Sequence, residues 1–172
     1  MHETPAARHL TAVALGSNQG DRHAHLAHAV SALGGLLSGM RVSPFVETAP
    51  VEVAPQPDYL NGAVVGRCAV PPSVLLAALL EIERSRGRVR PYQGAPRTLD
   101  LDLIVMGDLV VQRPDIEVPH PRFRRRRFVL EPLVTIAPDL VDPVTGRTIR
   151  QLYADLRRSS DSAAHAPACA GD

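Results

Sequence analysis

One stretch, Arg97-Thr98-Leu99-Asp100-Leu101-Asp102-Leu103-Ile104-Val105, constrains this chain more than any other. It alternates with the two-residue period of a β-strand, placing Leu99, Leu101, Leu103 and Val105 on one face and Asp100 and Asp102 on the other. Aspartate is among the residues most depleted from strands, because it fills a pleated, half-buried surface poorly. Same-face neighbours on a strand stand roughly 6.5 Å apart with parallel side chains. The pattern therefore predicts two carboxylates side by side on a rigid floor. They could be the solvated charge of an edge strand that discourages edge-to-edge pairing. They could instead hold Mg²⁺, which takes one or two carboxylates and completes its octahedron with water and phosphate oxygens. Two such ions can clamp both sides of a phosphoryl transfer, and a bound ion relieves the repulsion between adjacent carboxylates.

The neighbouring arginines favour the metal reading. Arg88, Arg90 and Arg97 converge on the start of this strand, and a phosphate chain would satisfy both them and the metal. Every basic residue other than histidine is arginine, so a glycine-rich phosphate loop of the Gly-x-x-x-x-Gly-Lys type is absent. His120, between Pro119 and Pro121, sits on a stiff turn as either a surface residue or a phosphate donor. His23, His25 and His28 read as solvated residues of one helix. The run Arg122-Phe123-Arg124-Arg125-Arg126-Arg127-Phe128 puts cations at a helix start, where the helix dipole disfavours them, and so points to an anionic ligand nearby. It also invites an RNA-binding reading, but an RNA-binding sheet of this topology would show aromatics on its middle strands where this one shows Asp. Asn61 carries an amide that both donates and accepts, matching the edge of a heterocycle. Phe45, Tyr59 and Phe128, three of six aromatics, fall in or near the same segments and would suit a flat bicyclic substrate.

The organisation follows from patterning. At 172 residues, 45% hydrophobic and 22% charged, the chain reads as one globular domain over residues 9–157, with a loose leader at 1–8 and a disordered tail at 158–172. A net charge of +1 does not mark a dedicated nucleic-acid binder. Two distant cysteines and the absence of a membrane-length apolar run lead us to expect a cytoplasmic protein with no membrane partner. Leu10–Leu15 reads as a buried strand, and Asp21 as the cap of a helix to about Leu37. A strand follows at Arg41–Thr48, a third at Tyr59–Val70, a helix at Pro72–Arg86 and then the aspartate strand. This order, βαββαβ, is the α+β ferredoxin-like arrangement, a mostly antiparallel sheet covered by helices on one face. A third helix is expected at about Arg124–Ala137 and a short fourth at Thr148–Leu156.

The segments "ALGSNQGD", "ETAP", "QPDYLNGAV", "EIERSRGRVR", "PRTLDLDLIVMG", "VPHPRF" and "RFVLEPL", in this order over residues 10–156, closely resemble the 6-hydroxymethyl-7,8-dihydropterin pyrophosphokinases of folate biosynthesis. The resemblance implies a monomeric enzyme that moves the βγ-diphosphate of ATP to the pterin hydroxymethyl group and releases AMP. Asp100 and Asp102 would hold two Mg²⁺ ions, with Asp100 also at the pterin. Arg88, Arg90, Arg97 and His120 would clamp the triphosphate, with Leu76, Glu83 and Leu103 near the nucleotide and Arg126 as a mobile catalytic arginine. Thr48, Ala49, Pro50, Val51, Tyr59, Asn61 and Phe128 would form the pterin pocket, Phe128 stacking on the ring. The chain departs from the family at Gly94-Ala95-Pro96-Arg97, where members often carry Trp-Gly-Pro-Arg, and at Leu80 and Pro121, where some have glutamine and tyrosine. The competing expectations are a phosphotransferase acting on another acceptor and a nonenzymatic RNA-binding module of the same topology.

Overall fold

The computed structural model describes residues 8–50, 55–88 and 95–164, without the side chains of 161–164. Its architecture follows from a strand that is apolar on both sides. In β1 (His9–Ser17), Ala12 and Ala14 point one way while Val13 and Leu15 point the other, and all four are buried. A strand of this kind must be covered on both faces. It pairs antiparallel with β4 (Tyr59–Cys68) on one side and β5 (Asp100–Met106) on the other. With β2 (Leu37–Val42) on the far side of β4, the order is β2-β4-β1-β5, the ferredoxin-like order; β3 (Val46–Thr48) also pairs with β4.

The helices that connect the strands, α1 (Arg22–Leu33) and α2 (Pro72–Ser85), pack Leu26, Ala29, Leu33, Leu75 and Leu79 against Val13, Leu15, Val64 and Leu103. The sequence reading puts helices on one face of the sheet; the other face is covered as well. A 3₁₀ turn (Phe123–Arg125), α3 (Arg127–Ile136) and α4 (Ile149–Ala164) cover it, packing Phe123, Val129, Leu130, Leu133 and Ile149 against Ala12, Ala14, Ala63, Val65 and Ile104. The small alanines on that face of β1 and β4 leave room for helices to approach.

Other differences have local causes. The first helix ends at Leu33, short of Leu37, because Gly34 and Gly35 favour the helix less than the reversal into β2. The second strand is broken between Val42 and Val46. There Pro44 has no N–H for the ladder, and the ring of Phe45 swings over Gly62 on the α1 side, away from Asn61. The third strand stops at Cys68 and the second helix at Ser85, while Arg126, in an extended conformation, separates the 3₁₀ turn from α3. A hairpin of β6 (Val111–Arg113) and β7 (Ile116–Val118) follows β5. The last helix passes its expected end at Leu156 and continues to Ala164, so residues placed in the tail are helical. Val105 does not share a face with Leu103. The register shifts from Ala12 opposite Val105 to Val13 opposite Leu103, and this β-bulge turns Val105 to the α3 side.

The α3 side is anchored by Asp142, whose side chain is fully buried. It accepts from Arg124 Nε at 2.6 Å and Nη2 at 2.8 Å, from the Thr145 hydroxyl at 2.6 Å and from the Val144 N–H at 3.2 Å. Burial alone would raise this carboxyl, but the guanidinium and the other donors hold it below the ordinary carboxylate range. A group depressed on folding contributes stability that is present above its unfolded value and is lost as pH falls through its folded one. Asp142→Ala should therefore lower the unfolding free energy at neutral pH by about 3 kcal/mol, because it leaves the Arg124 guanidinium without its partner. The deficit against wild type, read by denaturant unfolding, should shrink as pH is lowered below about 4. Equal stabilities at neutral pH would refute the anchor.

Candidate active site

Asp100 and Asp102 project from β5 toward the α3 side, partly exposed, with Asp100 opposite Gly16 and Asp102 opposite Ala14 on β1. The pair is ringed by cations. Asp100 Oδ1 lies 2.6 Å from Arg88 Nη2 and its Oδ2 lies 2.5 Å from Arg97 Nη1. Asp102 Oδ2 is 3.1 Å from Arg126 Nη1 and 3.9 Å from His120 Nε2. Burial works against the charge of Arg97, yet Asp100, Tyr59 and Asp102 raise its pKa above the usual guanidinium value.

Each cation is held by a different part of the fold. Arg88 follows α2 and is almost buried. Its Nη1 meets Glu83, which is 2% exposed and also accepts the Leu101 N–H at 2.7 Å. Glu83 thus lies beneath the site and ties α2 to β5 and to Arg88. His120 depends on the β5 bulge: its N–H donates to the Ile104 carbonyl at 2.9 Å, and its Nδ1 accepts the Arg122 N–H at 3.1 Å. With Nδ1 engaged as an acceptor, the neutral ring carries its proton on Nε2, facing Asp102. Burial first, then Arg126 and Arg122, hold its pKa below the ordinary histidine value against the pull of Asp102.

The arginine run is not one basic face. Arg124 is bound to Asp142, Arg126 reaches Asp102 and Arg127 pairs with Glu131 four residues on. Arg126 also lies over the Phe128 ring, 5.5 Å from its centroid. Beyond Asp100, across Gly16, stands Asn61 of β4. Its Nδ2 donates to the Thr48 hydroxyl at 2.6 Å. Gly16 is the gap in this row. A Cβ there would stand 3.2 Å from Asn61 Oδ1, 3.9 Å from the Tyr59 ring and 4.0 Å from Asp100 Cβ. Asn61, Tyr59 and Asp100 therefore meet over a floor of bare backbone.

The structure thus gathers Thr48, Tyr59, Asn61, Arg88, Arg97, Asp100, Asp102, His120 and Arg126, with Phe128 against Arg126. Leu76 and Leu103 instead belong to the core on the α2 side, across the sheet from the carboxylates. Ala49 and Pro50 directly follow β3, and Val51 and Arg90 lie outside the described residues. Sequence reasoning passed over Gly16, Asn18 and Gln56. All three lie inside motifs it quoted, but their partners are distant in the chain. A cleft of about 610 Å³ opens beside Asn18, lined also by Gly20, Arg22, Glu47, Asp58 and Pro96.

The donor set suits Mg²⁺: two hard carboxylates in a partly exposed site. Among the described residues no group of three or more His, Cys, Asp or Glu is placed to hold a metal ion. No helix among those residues is long and apolar enough to cross a membrane.

Residues 12–138 match the model of the 7,8-dihydro-6-hydroxymethylpterin-pyrophosphokinase family. A 2-amino-4-hydroxy-6-hydroxymethyldihydropteridine pyrophosphokinase of Synechocystis is 52% identical over 98 residues, 57% of this chain and 50% of that protein, so the match spans about half the relative's length. One of Pseudomonas aeruginosa is 39% identical over 83% of this chain and 88% of its own. The wild-type HPPK-DHPS structure of Plasmodium falciparum superposes with a TM-score of 0.72 at 14% identity, over 91% of this chain and 46% of that one, a likeness of fold. With its aspartate pair, arginine frame and amide pocket on the matched strands, the chain belongs to the 7,8-dihydro-6-hydroxymethylpterin-pyrophosphokinase family.

Proposed function

We propose that this protein transfers the terminal diphosphate of ATP to the hydroxymethyl group of 6-hydroxymethyl-7,8-dihydropterin and releases AMP, a step of folate biosynthesis. The observation that carries this reading is the juxtaposition of Asn61, Gly16 and Asp100 on adjacent strands. The row sets a heterocycle-binding amide beside a carboxylate framed by arginines. A pterin lying over Gly16 would present its exocyclic hydroxymethyl toward Asp100 and Asp102, with Phe128 available to stack on the ring.

The hydroxyl oxygen attacks the β-phosphorus. A bond forms there, the bond from that phosphorus to the α,β-bridging oxygen breaks, AMP departs with the bridging oxygen, and the hydroxyl releases its proton. Such a reaction is governed by positioning and charge neutralisation. Two Mg²⁺ ions at Asp100 and Asp102 would neutralise triphosphate charge and align the hydroxyl with the β-phosphorus. Arg97 and Arg88 pair with Asp100 and stand ready to exchange that carboxylate for phosphate oxygens, as Arg126 does at Asp102. The Nε2 proton of His120 adds a donor to the same anion. Glu83 acts through Arg88, whose guanidinium it holds from below. The protein works as a cytoplasmic monomer without nucleic acid, and Arg90 and Val51 complete the clamp and the pocket. The RNA-binding alternative is disfavoured because Arg124, Arg126 and Arg127 are engaged within the fold.

Purified protein incubated with ATP, Mg²⁺ and the pterin should form AMP only when the pterin is present. ADP instead of AMP would move attack to the γ-phosphorus and contradict the mechanism, and AMP formed on another alcohol but not on the pterin would transfer the reading to that acceptor. Asp100→Ala and Asp102→Ala should each abolish turnover while retaining the native circular dichroism spectrum; activity retained in either would remove the two-metal assignment. Glu83→Ala should destabilise the fold by about 3 kcal/mol, because it strands a buried guanidinium and orphans the Leu101 N–H. Glu83→Gln keeps an acceptor for Leu101 and should lose less stability while still raising KM for ATP; a wild-type KM for ATP in folded Glu83→Gln would show that Glu83 does not act through Arg88.

A further inference from the structure

Asn18 lies just past β1, touches neither carboxylate and is 1% exposed. Its side chain joins two loops that approach the site from opposite sides. On the nucleotide side its Oδ1 accepts the backbone N–H of Arg97 at 2.8 Å, and its own N–H donates back to the Arg97 carbonyl at 3.1 Å. On the acceptor side its Nδ2 donates to Gln56 Oε1 at 2.7 Å and to the Pro57 carbonyl at 3.1 Å. Gln56 Oε1 in turn accepts from the Tyr59 hydroxyl at 3.3 Å. The amide has one orientation available, because the Arg97 N–H can only donate and the Pro57 carbonyl can only accept.

One carboxamide therefore links Arg97, which pairs with Asp100, to Tyr59, which stands beside Gly16 and Asn61. We infer that Asn18 is a positioning residue that couples the nucleotide and acceptor sites: fixing of Arg97, or of the segment from Gln56 to Tyr59, by its substrate is passed through this amide to the other. The inference rests on the proposed function and names how its two substrates communicate. The reasoning is one of linkage. Arg97 is an arginine of the clamp, and its backbone is fixed on both polar groups by Asn18. Gln56 and Pro57 open the segment that leads into Tyr59 and Asn61, and they are held by the same side chain. A ligand that fixes Arg97 or the Gln56–Tyr59 segment leaves the second ligand less to fix, so each tightens the other by the same factor. A residue that only stabilised the fold would change both affinities without changing that factor.

The test measures binding of a non-hydrolysable ATP analogue with Mg²⁺, by titration calorimetry, in the absence and presence of saturating 6-hydroxymethyl-7,8-dihydropterin. Wild-type protein should bind the analogue more tightly when the pterin is present, by on the order of tenfold. Asn18→Ala should bring the ratio close to one while the analogue alone still binds. Gln56→Ala removes only the outer, partly exposed end of the bridge and serves if Asn18→Ala does not fold. It should reduce the ratio while leaving analogue affinity alone little changed. In steady state both variants should raise KM for the pterin more than they lower kcat. A wild-type ratio kept in folded Asn18→Ala, or in Gln56→Ala where Asn18→Ala is unfolded, would overturn the inference. A wild-type ratio near one with the pterin bound would overturn it as well, and a protein that binds no pterin at all would overturn the proposed function instead.

Discussion

Two carboxylates on one face of a strand repel each other, and the site is organised around that repulsion. At roughly 6.5 Å and an effective dielectric near 20, the like-charge term is about 2.5 kcal/mol. Four groups answer it: Arg88 and Arg97 at Asp100, Arg126 at Asp102, and the Nε2–H dipole of His120. They come from the end of α2, the approach to β5, the start of α3 and the turn after β7. The elements of the second half of the chain are thereby fixed with respect to the aspartate strand. The same groups give the site its chemistry, because guanidiniums that neutralise carboxylates here can exchange them for phosphate oxygens.

Support for that ring lies below the surface. Glu83 anchors Arg88 and the β5 backbone together, the β5 bulge offers the Ile104 carbonyl to His120, and the Arg124–Asp142 pair fixes the turn from which Arg126 departs. None of these three devices faces the open side of the carboxylates. They orient the groups that do, and they use buried charge or irregular backbone where packed apolar residues would be simpler. Buried charge used in this way is expected where geometry, more than stability, is at stake.

Much of this was legible in the chain. The period-two pattern gave β5 and its carboxylates, Asp21 caps α1 through the Ala24 N–H as its position suggests, and Pro72 opens α2. What escaped were features set by partners far away in sequence. The bulge that turns Val105 over arises from pairing with β1, and no local pattern marks it. Phe45 looked like part of the pocket, but Pro44 breaks the strand and the lack of a side chain at Gly62 takes the ring to the other face. Helices on both faces could have been read from the doubly apolar β1, whereas nothing in the chain singled out Asn18. Its partners lie 38, 39 and 79 positions along the chain, beyond any local pattern.

The central claim is that Asp100 and Asp102 are kept together for a cation-bridged triphosphate. Its most direct test is the affinity of the non-hydrolysable ATP analogue, with and without Mg²⁺, in wild type and in an Asp100→Asn/Asp102→Asn double variant. The account predicts that Mg²⁺ tightens analogue binding in wild type and leaves it unchanged in the double variant, whose fold is intact. Mg²⁺-dependent tightening of equal size in both proteins would contradict it.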